Sequence, residues 1–431
     1  MLDTPKKLAI HGGPKLRETL FPAYISVGAE EKAAVNEVID SGILSNYLGA
    51  HHENFMGGKY VRECEAAWGD YFGARHALAV NSNTSGLIAA LGAIGVGQGD
   101  EVIVTSYSMS ASATAPLVWG ATPVFADIDP QTFCLSAASI EAVITPSTKA
   151  ILIVDLFGQP FDVPAVRKLA ADHNLRIIED CAQAPGAGYK NEKAGLLGDI
   201  GVFSLNYHKH IHSGEGGIVV TNDDDLAQRV ALIRNHAESV VGPMGVTDLT
   251  NMIGYNFRMT EIEAAIATCQ LAKLDGLLAE RLERVAYFEK KMEAFEALSM
   301  PSVQQDITHA YYVHACMWNS SDVNRNRFID AVKAELPCFE LREKEGVKLG
   351  YGYVKPLYLL PIFASHKAIQ GRLSPLDDAW QKFELGLCPV VEDMHFNRLV
   401  THEFIVPSMQ ESDIDDVVLA FEKVWDQRAE L

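Results

Sequence analysis

Between residues 77 and 221 short apolar runs recur along the chain, and most are followed by segments whose apolar positions repeat every three or four residues. The runs are Ala77–Val80, Glu101–Thr105, Thr122–Ala126, Ala150–Val154, Leu175–Ile178, Ile200–Phe203 and Ile218–Thr221. The intervening helical patterns cover Leu87–Ala93, a stretch ending at Trp119, Ala137–Val143 and Val163–His173. Runs that are apolar throughout suit strands buried on both faces. Strand alternating with helix predicts a mostly parallel, doubly wound α/β sheet. Ligands on such sheets lie beyond the carboxyl ends of the strands.

The flanks read differently. Leu8–Leu20 is punctuated by Gly and Pro and predicts an arm rather than a core element. Helical patterns follow at Ala29–Ile39 and Val61–Phe72. After Arg258 a long helical stretch, broken in places, is expected to about Phe295. Past Met300-Pro301 the pattern changes to a smaller α/β unit. Ala310–Trp318 reads as a strand, Arg325–Glu335 as a helix and Tyr351–Phe363 as a Pro-punctuated segment. The expected division is an N-terminal arm (1–26), a large domain (27–275) and a small C-terminal domain (276–431).

Composition narrows the function. The chain has 431 residues, of which 48% are hydrophobic and 21% charged, as in an ordinary globular enzyme. A formal charge of −20 argues against nucleic-acid or anionic-membrane partners, although a local basic pocket can still hold a phosphate. Seven scattered cysteines with no C-x-x-C pair read as reduced thiols of a cytoplasmic protein. The N-terminus has no signal-peptide pattern, and no apolar run is long enough to span a bilayer.

The candidate chemistry centres on Gly201–Gly217. Its first strand stops at Ser204, a polar loop carries Lys209, and Gly214-Glu-Gly-Gly217 leads into the next strand. A lysine held between buried strands loses its charge by desolvation and becomes an amine nucleophile for carbonyl compounds or pyridoxal phosphate. His208, His210 and His212 alternate and would share one face of an extended segment, but no carboxylate or cysteine pair stands near them at ligand spacing. No metal is therefore expected. Asn81-Ser-Asn-Thr-Ser-Gly86, between a strand and a helix, is a candidate anion turn, with Thr84 or Ser85 as the bland alternative of a helix cap. Asp180, just past a central strand, could pair with a pyridine nitrogen or cap a turn. Gln183 lies three residues on.

Taken together, Gly97-Gln-Gly-Asp-Glu-Val-Ile-Val, Gly120-Ala-Thr-Pro-Val-Phe-Ala-Asp-Ile-Asp, Ile178-Glu-Asp-Cys-Ala-Gln-Ala, Phe203-Ser…Lys209…Gly214-Glu-Gly-Gly and Gly254-Tyr-Asn-Phe-Arg-Met-Thr-Glu resemble the DegT/StrS-type aminotransferases. The resemblance runs from about Val27 to Trp425. It implies a fold-type-I pyridoxal-phosphate-dependent transferase that moves an amino group from glutamate or glutamine to a keto-sugar, nucleotide-linked in the first instance, or to a keto-cyclitol. It further implies Lys209 as the Schiff-base lysine, Asp180 as partner of the pyridine nitrogen and Gln183 near the ring oxygen. Thr84, Ser85 and Ser204 would hold the phosphate. Asn256, on a loop expected to lie well apart from the phosphate turn, would reach the neighbouring subunit's cofactor in a homodimer with shared sites. Tyr107, Lys355 and Tyr358 become substrate candidates, with rim packing as the alternative for the last two.

Three positions depart from the family pattern. Asn83 replaces the glycine of the phosphate turn. The aromatic that stacks on the ring falls on Met109, with Tyr107 as the alternative. Asp155 stands where the family has His, at a place expected to touch cofactor or sugar. Two rival readings remain, a sugar dehydratase on the same scaffold and a non-enzymatic regulatory protein. The family's dehydratases carry His in place of the lysine, and the intact Lys209, Asp180 and Gln183 set argues for transamination. No G-x-G-x-x-G follows the first strand, which argues against a nicotinamide-dependent dehydrogenase.

Overall fold

The computed structural model describes residues 7–338, 349–365, 383–403 and 405–431. Its centre is a seven-stranded sheet: β1 (His76–Val80), β2 (Glu101–Thr105), β3 (Thr122–Ala126), β4 (Thr148–Val154), β5 (Arg176–Asp180), β6 (Ile200–Ser204) and β7 (Gly217–Thr221). The spatial order is β1-β7-β6-β5-β4-β2-β3. Only β7 runs against the others, pairing antiparallel with β1 and with β6. The remaining pairs are parallel, as the continuous apolar runs predict.

Register explains where a ligand can sit. Gly217 pairs with Val80 on one side and Ser204 on the other. The carboxyl ends of β1 and β6 therefore meet at one glycine. A Cβ there would lie 2.7 Å from the Ser82 carbonyl carbon, so the second glycine of the Gly216-Gly217 pair admits the start of the next helix.

The second sheet is antiparallel: β8 (Leu298–Ser299), β9 (His314–Trp318), β10 (Leu349–Tyr351) and β11 (Leu399–His402), in the order β8-β9-β11-β10. The expected strand Ala310–Trp318 is shorter because Ala310, Tyr312 and Val313 spend their N–H groups on the Phe157 and Gly158 carbonyls. This contact docks the small unit onto the end of β4.

The helix after the loop at Arg258 is one unbroken element, Glu261–Met292, rather than an interrupted stretch reaching Phe295. Thr260 and Glu263 form its capping box. Ala264, Ala267, Leu271, Leu274 and Leu278 belong to the core around the large sheet, whereas Val285, Phe288 and Met292 belong to the core of the small one. The change of core lies between Leu278 and Val285, and residue 275 falls inside the helix.

The N-terminal segment is no loose arm. Leu8 and Phe21 are fully buried in the smaller core, and Glu335 accepts from the N–H groups of Ala9 (2.8 Å) and Leu16 (3.2 Å). Burying those two side chains stabilises the docking by about 1.5–3 kcal/mol each. The seven cysteines form no disulfide with one another. Among the described residues no helix is long and apolar enough to cross a membrane.

Candidate active site

The helix expected from Leu87 begins four residues earlier, at Asn83, and its cap is Ser82 rather than Thr84 or Ser85. Ser82 Oγ accepts from the Ser85 N–H at 3.1 Å. The first N–H groups of a helix have no intrahelical partner, so an anion-binding end faces the carboxyl edge of the sheet. Thr84 is exposed at this end. Ser85 is buried, with its hydroxyl 3.0 Å from Ser82 Oγ. Ser204, at the end of β6, is 9% exposed, and its Oγ accepts from the Asn206 N–H at 3.3 Å. Thr84, Ser85 and Ser204 are thus brought to the two strand ends that meet at Gly217.

Asp180 ends β5 and is buried. Its Oδ1 accepts from Asn83 Nδ2 (3.1 Å) and the Ala182 N–H (3.2 Å), and Ser112 Oγ donates to Oδ2 at 2.8 Å. Burial pushes the carboxyl above its usual range, while these donors and the Lys209 charge pull it back. Asn83, where the family has glycine, therefore orients the carboxylate.

Lys209 is 8% exposed, in a loop closed by Leu205–Gly216 and Ser213–Leu205 backbone bonds of 2.9 and 3.0 Å. Burial lowers its amine to about 8, against the opposing pull of Asp180 and then Glu403. Its Nζ sits 4.4 Å from the centre of the Tyr312 ring. The loop turns, so the three histidines share no face: His208 is exposed, His210 buried and His212 half-buried.

Gln183 is buried with both ends of its amide engaged. Oε1 accepts from the Phe157 N–H at 2.7 Å, and Nε2 donates to the Tyr353 hydroxyl at 3.2 Å. The first bond fixes which end of the amide is the donor.

Other candidates move. Tyr107 is fully buried; its hydroxyl accepts from the Tyr353 N–H (2.7 Å) and bonds His395 Nδ1 (2.9 Å). It is a tie between the two sheets, not a residue facing substrate or stacking on a ring. Tyr358 is also fully buried, against Phe125, with its hydroxyl on Glu392, so it belongs to the core. Lys355 is exposed. Met109 is 56% exposed, three residues before Ser112, which touches Asp180. Asp155 is fully buried and accepts from the Cys181 thiol at 3.5 Å, facing Glu179 inside the sheet rather than cofactor or sugar.

The Asn256 loop is not remote from the phosphate turn. The Asn81 N–H donates to the Phe257 carbonyl at 2.8 Å, and Val80 bridges Arg258. The Asn256 side chain is exposed and accepts from Arg258 Nε at 2.7 Å. Glu261, last residue of the same motif, is 1% exposed and caps another helix, accepting from the N–H groups of Gly58 (2.9 Å) and Tyr60 (2.7 Å).

Ser112, Tyr312 and Tyr353 were not singled out from the chain. Ser112 had a signal: it lies in the segment Ser106–Ser112 that already held Met109, at the start of a helix. The two tyrosines arrive through contacts between the sheets and carry none.

Known aminotransferases are similar to the chain in sequence and in fold. The pattern of the DegT/DnrJ/EryC1/StrS aminotransferase family matches residues 26–401. The GDP-perosamine synthase of Caulobacter vibrioides is 43% identical over 258 residues, 60% of this chain and 68% of that protein. The L-glutamine:2-deoxy-scyllo-inosose aminotransferase of Streptomyces fradiae is 32% identical over 437 residues, 98% of this chain and 99% of that one. The crystal structure of an aminotransferase from Psychrobacter cryohalolentis superposes with a TM-score of 0.79 at 30% identity, covering 94% of this chain and 99% of that chain. The chain belongs to the DegT/DnrJ/EryC1/StrS aminotransferase family.

Proposed function

We propose that the chain moves an amino group from glutamate or glutamine to a keto carbon of a sugar or cyclitol, with pyridoxal phosphate as cofactor. The observation that carries this reading is Lys209: a buried amine, lowered to about 8, with Asp180 as its foremost opposing charge. The residues fit the cofactor. Lys209 would hold its aldehyde carbon, Asp180 would face the ring nitrogen, and Gln183 Nε2, aimed by the Phe157 N–H, would meet the ring oxygen. The helix end at Asn83 and Thr84, with Ser85 and Ser204, would take the phosphate. Met109 would cover the ring. When bound, pyridoxal phosphate would supply an electron sink for the amino carbon. Lys209 Nζ would take and return the proton of the amino carbon, since an amine lowered to about 8 serves in both directions. Tyr312 and the buried loop exclude water from Nζ.

A nucleotide-linked keto-sugar is one acceptor class, supported by the likeness to GDP-perosamine synthase. A free keto-cyclitol is the second, favoured by the end-to-end match to the inosose aminotransferase. The active unit is a homodimer in which Asn256, exposed in one chain, reaches the partner's phosphate. Seven cysteines with no disulfide among them support a reducing, cytoplasmic setting. Incubation with 15N-amino glutamate or glutamine, and a panel of nucleotide-linked keto-sugars and free inososes, tests the reading. Label in an acceptor amine supports it; exchange with no acceptor of either class contradicts it.

A further inference from the structure

Away from Lys209, three side chains with metal-binding atoms converge on one face of the small sheet. His314 and His402 are direct cross-strand partners on β9 and β11. Cys316 stands two residues beyond His314 on β9, hence on the same face. All three are at most 2% exposed, and one ligand atom of each lies within 4.8 Å of the other two. The Cys316 sulfur is 3.3 Å from His314 Nδ1. Two ligands of a single tetrahedral zinc ion, one sulfur and one nitrogen, stand about 3.5 Å apart for ordinary Zn–S and Zn–N bond lengths.

The surroundings are those of a metal-bound imidazole. Glu289, from the long helix, bonds the other nitrogen of His314 at 3.0 Å. With the carboxylate accepting, Nε2 carries the hydrogen and Nδ1 keeps its lone pair toward Cys316. A carboxylate behind a histidine in this way fixes the ring and raises its basicity as a ligand. Phe288 closes the cluster, with its ring 5.4 Å from His314 and 4.8 Å from His402. The sulfur of the half-buried Met300 lies 3.9 Å from Cys316.

We propose that His314, Cys316 and His402 form a binding site for a zinc-class divalent ion that clamps β9 to β11 and, through Glu289, to the long helix. Binding forms one metal–sulfur and two metal–nitrogen bonds and releases the Cys316 thiol proton to solvent, with water in the fourth position. His402 joins the His314–Cys316 pair from far along the chain, so the full ligand set shows only in the folded sheet.

The test uses full-length protein loaded with pyridoxal phosphate and stripped with a chelator. Zinc is titrated calorimetrically with the thermal midpoint recorded, and cobalt(II) is substituted as the optical probe. The expected result is one tight equivalent per chain, a raised midpoint and a thiolate-to-cobalt charge-transfer band. Cys316→Ser abolishes the band, and Glu289→Gln weakens zinc binding about 10-fold or more. No stoichiometric uptake, or cobalt-loaded wild type without the band, overturns the proposal even if the variants fail to fold. Uptake unchanged in Cys316→Ser and His402→Gln likewise overturns it, assigning the ion to surface histidines.

Discussion

Burial of Lys209 predicts a cofactor-free protein destabilised by its own proposed Schiff-base lysine. The native amine sits at about 8, below the 10.5 of an ordinary lysine. A base whose folded value is depressed binds its proton more weakly in the native state. The penalty is fully present below the native value and fades as pH rises toward the unfolded one. The difference corresponds to roughly 3 kcal/mol. Lys209→Met, which keeps the length and removes the charge, should therefore stabilise the cofactor-free protein at pH 7 by up to about 3 kcal/mol. The advantage should shrink between about pH 8 and pH 10.5. Urea unfolding of both apoproteins, read by tryptophan fluorescence across that range, measures it. An Lys209→Met protein no more stable than wild type at pH 7, or an advantage independent of pH, would refute the reasoning.

Further outcomes follow from the same contacts. Asp180→Asn should retain the fold and bind pyridoxal phosphate but lose about 100-fold or more in turnover, seen as a fall in kcat with cofactor absorbance kept. Ser112→Ala removes one donor from that buried carboxylate and should lower kcat about 10-fold and cost about 1–3 kcal/mol in urea unfolding. Tyr107→Phe deprives the Tyr353 N–H and His395 of a buried partner and should cost about 1–3 kcal/mol in urea unfolding, leaving KM for the amino donor unchanged. Mixing inactive Lys209→Ala with inactive Asn256→Ala, after subunit exchange, should recover activity, because one site of each hybrid dimer holds both native residues; no recovery means each site is built within one chain.

The large sheet was legible because strands buried on both faces leave continuous apolar runs. Five of the seven were bounded to within a residue. Lys209, Asp180 and Gln183 could be read because each follows a strand end, where topology places ligands. The aromatic residues could not be sorted this way. Tyr107 is expected as an alternative stacking residue and Tyr358 as a substrate candidate, yet His395 and Glu392 draw them into the interior. Tyr312 and Tyr353 reach the site through contacts between the two sheets, and local pattern does not encode such contacts. The unbroken helix Glu261–Met292 was obscured by its change of core near Leu278, which interrupts the apolar stripe.

The central claim is that Lys209 carries the cofactor. Borohydride reduction of the pyridoxal-phosphate-loaded protein, followed by peptide mass mapping, tests it most directly. The account predicts the phosphopyridoxyl group on Lys209 alone and no stable adduct in Lys209→Ala. An adduct on another lysine, or one that persists in Lys209→Ala, would contradict it.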